Sequence, residues 1–261
     1  MSYTEDREVR YDLDQSEMES FETELITAIA DQAVSLEIAA AWIRPFSRYA
    51  NLMRSIEATF FPEAQEVSME DEERSIFFAL IDFRLKPRIT FGSTICGARV
   101  PGDSLLATPS EVNGDSSGFI FIDQLIRIGN FTLEEFDSYI SGLGLNPKHC
   151  LSVESTYRIG ELADKWHGLS LTEVAYWAFF RSVRRNGGAI GTAAIFASIN
   201  EPAMDSFRRF GLHFEPLMGR TDLVTPEEEL GKTFIPIVMT YDQYADDLFS
   251  TISIPLAEFA L

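Results

Sequence analysis

The chain has 261 residues, 46% of them hydrophobic, enough to fill the core of one large domain. Lys and Arg total 21 against 41 Asp and Glu, and the resulting net charge of -20 repels nucleic-acid phosphates and anionic membrane surfaces. No run of about 18 apolar residues is present and Met1 to Asp6 lack the features of a signal peptide, so the expected protein is soluble and cytoplasmic.

Residues 1 to about 20 are acidic and weakly periodic, and the apolar segment from Phe21 to Ile43 reads as a helix interrupted by Pro45. Tyr49, Leu52, Met53, Ile56 and Phe60 recur at helical spacing, and Pro62 ends that second helix. Ser68 to Arg74 reads as an acidic loop. Ile76 to Phe83 and Ile89 to Cys96 are rich in β-branched and aromatic residues around a Leu85-Lys86-Pro87 turn, which predicts an antiparallel hairpin. Pro101 to Ser117 is a long loop by composition, and Phe119 to Ile122 a short strand.

Thr132 and Glu135 form a capping box at the start of the next helix, with Phe131 and Phe136 as its hydrophobic staple. Leu151 to Ile159 alternates, with Leu151, Val153, Ser155, Tyr157 and Ile159 on one face and Ser152, Glu154, Thr156 and Arg158 on the other. A second capping box, Ser170 with Glu173, and a Leu169/Val174 staple open a helix that Asn186-Gly187-Gly188 closes. Arg181, Arg184 and Arg185 suit the negative end of that helix. Ala189 to Ile199 is apolar on both faces, as in a strand covered on both sides. Leu212 to Leu217 and Thr233 to Thr240 are further strands, the latter at an edge or bulge because of Pro236.

Between the buried strand and the next lies Asn200-Glu201-Pro202-Ala203-Met204-Asp205-Ser206-Phe207-Arg208-Arg209-Phe210-Gly211-Leu212. Asn200 caps it, Pro202 suits its first turn, Gly211 stops it, and Ala203, Phe207 and Phe210 share one face. This run resembles the motif that closes the acyl-donor cleft in the GNAT superfamily of N-acyltransferases. The order of elements is also similar to that superfamily's from about residue 48 to 240.

The resemblance implies an α/β fold with a mixed sheet and an N-terminal helical extension (1–47), a GNAT-like domain (48–240) whose leading helix is Arg48 to Phe61, and a tail (241–261) packing on the core or on a partner. It implies transfer of an acyl group from a thioester donor, coenzyme A or acyl carrier protein, to a small-molecule amine. The donor lies where the strands at Leu151 and Ala189 splay apart, and its contacts are expected at Tyr157, Arg158, Ile159, His167, Gly168, Leu169, Ser170, Asn200 and Phe207. Glu154 is the candidate base, and Glu154 with Arg158 is similar to the Glu-x-x-Arg run of the acyl-homoserine-lactone synthase branch, with one residue more between them.

Two departures accompany the likeness. The phosphate loop reads Asp164-Lys165-Trp166-His167-Gly168-Leu169-Ser170, with a single glycine, and the capping box takes up donors that a diphosphate would use. Phe207 stands where the family has a tyrosine that protonates the leaving thiolate. A catalytically silent binding protein of the same fold is therefore the alternative. A GDSL-type hydrolase is a third reading, on Gly102-Asp103-Ser104-Leu105 and Asp164-Lys165-Trp166-His167. His149, His167 and His213 are scattered, Cys96 and Cys150 form no Cys-x-x-Cys pair, and no metal is expected; both cysteines read as buried apolar side chains.

Overall fold

The computed structural model describes residues 12–30, 37–61, 69–84, 88–97, 116–159, 165–166, 169–186, 192–200, 204–205, 207–208, 212–225, 234–240 and 256–261. Among them the helices are α1 (Gln15–Ala30), α2 (Arg48–Phe60), α3 (Met69–Arg74), α4 (Ile120–Arg127), α5 (Leu133–Gly142) and α6 (Leu171–Asn186). The strands are β1 (Ile38–Ile43), β2 (Ser75–Asp82), β3 (Arg88–Cys96), β4 (Cys150–Arg158), β5 (Lys165–Trp166), β6 (Leu169–Ser170), β7 (Ala194–Ile199), β8 (Glu215–Pro216), β9 (Ile235–Thr240) and β10 (Leu256–Ala260). Eight of the strands form one mixed sheet in the order β10-β1-β2-β3-β4-β7-β9-β8, and β5 and β6 make a separate hairpin.

Capping chemistry sets the helix ends. Ser47 Oγ accepts from Ala50 N at the start of α2, and Thr132 with Glu135 forms a reciprocal box at α5. Phe131 and Phe136 stack at 6.1 Å beside that box. At α6 the Ser170 N–H donates to Glu173 and the Glu173 N–H to Ser170 Oγ.

Four segments depart from the sequence-based expectation. Phe21 to Ile43 is not one helix: α1 ends at Ala30, and Ile38–Ile43 is a strand buried on both faces between β10 and β2. An all-apolar run of six carries no periodicity, so its partners decide its form. Met69–Arg74, expected as loop, is a short helix. Phe119 to Ile122, expected as a strand, contains the first turn of α4, whose buried Phe121, Ile122 and Leu125 have helical spacing. Only Glu215 and Pro216 of Leu212 to Leu217 are strand, followed by a 3-10 turn at Leu217–Gly219.

β2 and β3 form the expected antiparallel pair. Pro236 faces Ser198 of β7, while β8 pairs with Val238 and Ile237, so among the described residues the proline lies where β9 has a single neighbour. The tail strand β10 runs parallel to β1 in the same chain, with Leu261 N donating to Trp42 O at 2.8 Å.

The sheet has three apolar layers on it. One face carries α6, with Trp42, Phe78, Phe91, Leu151, Ile195 and Ile237 beneath it. The opposite face carries α1 and α2 over β1 to β3, and α4 and α5 over β4, β7 and β9. A polar seam separates the last two. Buried Arg54 of α2 bonds to Glu57, Glu72 and Ser75 at 2.7 to 2.9 Å, and its guanidinium stacks 4.7 Å from the Phe77 ring centroid.

Candidate active site at the β4 and β7 gap

β4 and β7 run parallel but pair only at Cys150 with Ala194, Leu151 with Ile195 and Ser152 with Phe196. Beyond Ser152 the strands part. β4 continues along β3 and β7 continues along β9, so a wedge opens toward the carboxyl ends of both, where α6 begins. Burial records the opening: Val153, Glu154, Ser155 and Thr156 are half-buried, in a strand that is buried before and at Tyr157. Backbone amides along this flank have no strand neighbour on that side among the described residues, leaving them available to an extended ligand.

The same stretch holds a β-bulge. Thr94 faces Ser155 and Ile95 faces Val153, which leaves Glu154 as the extra residue. The alternation therefore inverts there. Leu151 and Val153 pack on the α6 side, whereas Ser155 donates to Glu57 Oε1 of α2 and Tyr157 donates to Met53 O at 3.0 Å on the other side. The expected single face of Leu151, Val153, Ser155, Tyr157 and Ile159 does not exist, because one inserted residue shifts a period of two.

This mixed sheet, with a strand parting from its parallel neighbour before the following helix, is the arrangement that the sequence resemblance implies; the bulge is not part of that expectation. The chain has an α/β fold built on one mixed sheet.

No family model matches the chain, and no curated protein does. Among solved structures it is similar to a CoA-dependent acyl-homoserine lactone synthase, BjaI, with SAM and isopentyl-CoA, at 13% identity over 86% of this chain and 93% of that one, TM-score 0.47. It is also similar to the AHL synthase LasI, at 8% identity over 88% of this chain and 86% of that one, TM-score 0.40. A third is NAA60 of Arabidopsis thaliana in complex with acetyl-CoA, at 11% identity over 88% of this chain and 94% of that one, TM-score 0.27.

Glu154 sits at the bulge on the side of α4. Its carboxylate accepts from Ser152 Oγ and from the Phe121 N–H in the first turn of α4, where helix donors lack intrahelical acceptors. Burial pushes this carboxyl up to about 7, against the Ser152 and Phe121 hydrogen bonds and the Arg74 charge, which pull it down. Arg74 itself is held by Asp71 at 2.6 Å and Asp123 at 3.1 Å. Behind the bulge, Glu57 Oε1 accepts from Thr94 and Ser155, so the Arg54 network fixes the kinked backbone.

The expected donor residues are distributed over several places. Arg158 is exposed on the α6 side, donating to Thr172 Oγ1 at 2.6 Å, so it does not face Glu154. Tyr157 and Ile159 lie instead in the core under α1 and α2. Leu169 and Ser170 pair with Trp166 and Lys165 in the β5–β6 hairpin at the start of α6. Asn200 follows β7, its carbonyl accepting from Met204 N at 3.0 Å. Phe207 is buried against the α6 face. His167, Gly168, Ser104 and Asp164 lie outside the described residues, as do Leu85 to Pro87 and most of the 101–117 loop.

Cys96 and Cys150 are free and buried, with burial raising the Cys150 thiol to about 12. Ser152, Ser155 and Glu57 were not expected at the site. Their signal in the sequence is faint, because nothing local marks a bulge that only the β3 register creates.

Proposed function

We propose that the chain is an acyltransferase that moves an acyl group from a thioester, of coenzyme A or of acyl carrier protein, to a small-molecule amine. The observation that carries this reading is the coincidence, at one strand flank, of an open wedge between parallel strands and a carboxyl raised to about 7. A thioester arm is an extended amide chain and pairs with a vacant strand edge. An attacking amine must shed a proton near neutral pH, and a carboxylate tuned there accepts it.

In this reading Glu154 takes the proton directly or through water while the nitrogen attacks the thioester carbon. The N–C bond forms, the C–S bond breaks, and the electron pair leaves on sulfur. In the same reading Arg158, His167, Gly168, Leu169 and Ser170 are the residues that meet the distal part of the donor. Asn200 and Phe207 border the β7 side.

The test is release of free thiol from acyl-coenzyme A and acyl carrier protein thioesters, offered with a panel of amines. Amine-dependent release from either donor supports the proposal, and silence with both sinks it. Phe207 in place of a hydroxyl-bearing residue favours a second reading, a silent binding protein. That reading predicts thermal stabilisation by coenzyme A without any thiol release.

A further inference from the structure

Past Ser152, β4 has parted from β7 on one side and carries a bulge against β3 on the other, so its ladder is interrupted where Glu154 stands. A stretch paired so sparsely does not by itself hold one side-chain direction. Bonds to the next residue supply what the ladder lacks. Ser155 Oγ donates to Glu57 Oε1, and the Ser155 carbonyl accepts from Ser93 Oγ at 2.8 Å. Thr94, which faces Ser155 across the β3–β4 pair, donates to the same Glu57 oxygen at 3.0 Å.

Glu57 is itself held. Its other carboxylate oxygen accepts from Arg54 at 2.7 Å, and Arg54 donates to Glu72 and to Ser75, each at 2.9 Å. All four side chains are buried. A buried ionic network returns little net stability, because desolvation offsets the attraction, whereas its hydrogen bonds are strongly directional. Here that direction is imposed on both strands of the bulged pair through Glu57 Oε1. Val153 packs on the α6 side and Ser155 is tied to α2, so the backbone of Glu154 is held at both ends and its side chain emerges beside Ser152.

We propose that Glu57 is a positioning residue for the base: through Ser155 and Thr94 it keeps the bulge in the one register that presents Glu154 at the wedge. This rests on the acyl-transfer reading, in which Glu154 takes the proton of the attacking amine. Glu57 touches neither donor nor amine and acts only through the strand.

The experiment is a double-mutant cycle on amine-dependent thiol release, with the donor and amine that the wild-type protein turns over fastest. Ser155→Val removes the hydroxyl, and Ser155→Thr restores one on a side chain of nearly the same shape. The valine variant should lose roughly 10- to 100-fold in kcat, the scale of a small misplacement of a catalytic group, with KM for the donor unchanged, and the threonine variant should stay within about threefold of wild type. Glu57→Asp keeps the charge beside Arg54 but falls short of the hydroxyls by one methylene, and it should behave as the valine variant does. In a Glu154→Gln background no base remains to be positioned, so Ser155→Val and Glu57→Asp should each cost no more than about twofold there.

Losses that are the same with and without Glu154 overturn the assignment, and so does a threonine variant as slow as the valine one. If the wild-type protein releases thiol and both Ser155→Val and Glu57→Asp match it, only this inference fails. If the wild-type protein releases none, the acyl-transfer reading fails and this inference with it. Should Ser155→Val or Glu57→Asp not fold, Thr94→Val, which removes the other hydroxyl from Glu57, goes through the same cycle, and its coupling to Glu154→Gln decides.

Discussion

Replacing Glu154 with Gln should move activity and stability in opposite directions, which a merely structural carboxylate would not do. Burial moves this group from an ordinary 4.5 to about 7. At ~1.4 kcal/mol per pH unit that shift is ~3 kcal/mol, and the partial exposure of the residue at the wedge reduces it to ~1–2 kcal/mol. Because the folded value lies above the unfolded one, the stabilising contribution is complete below about pH 4.5 and is lost as pH rises through about 7.

Gln keeps the shape and can still accept from Ser152 and from the Phe121 N–H, but never ionises. The variant and the wild-type protein should therefore melt together near pH 4.5, and the variant should melt roughly 3–6 °C higher at pH 8. Thiol release by the same preparation should fall about a hundredfold, and the acid limb of the wild-type kcat/KM profile should bend near pH 7. Scanning calorimetry at the two pH values checks the first claim. A melting difference that is the same at both pH values, or a variant less stable at pH 8, refutes the reasoning.

Arg54→Met should destabilise by about 3–5 kcal/mol in urea titrations, because it leaves Glu57 and Glu72 buried without their cation. Gly92→Ala places a methyl 2.3 Å from Tyr157 Cε2, with the ring held by the Met53 carbonyl and stacked on Phe60. It should cost ~1–3 kcal/mol, and a double mutant with Tyr157→Ala should cost less than the sum of the two. Removing residues 256–261 exposes the edge of β1, from which Trp42 O and Arg44 N now bond to Leu261. Light scattering should then detect an increase in self-association over the intact chain, and an unchanged association state would contradict the edge-strand role.

The local code of the chain was legible where one turn or one cap decides the outcome. The Thr132 and Ser170 boxes, the β2–β3 pair and the strand running into Asn200 follow from residue types at fixed spacing, since their energetics involve neighbours within a few positions. The order of elements around Leu151 and Asn200 carried the GNAT resemblance and singled out Glu154. The sequence could not decide whether Ile38–Ile43 is helix or strand, because a fully apolar run takes its form from its partners, here β10 and β2. Nor could it place Tyr157. A single extra residue between the positions facing Thr94 and Ile95 reverses every later side chain of β4, and that residue is fixed by the register of β3, some sixty positions earlier in the chain. The opening of the wedge is likewise tertiary: past Ser152 and Phe196, β4 stays paired with β3 and β7 with β9, pairings made between segments distant in the chain.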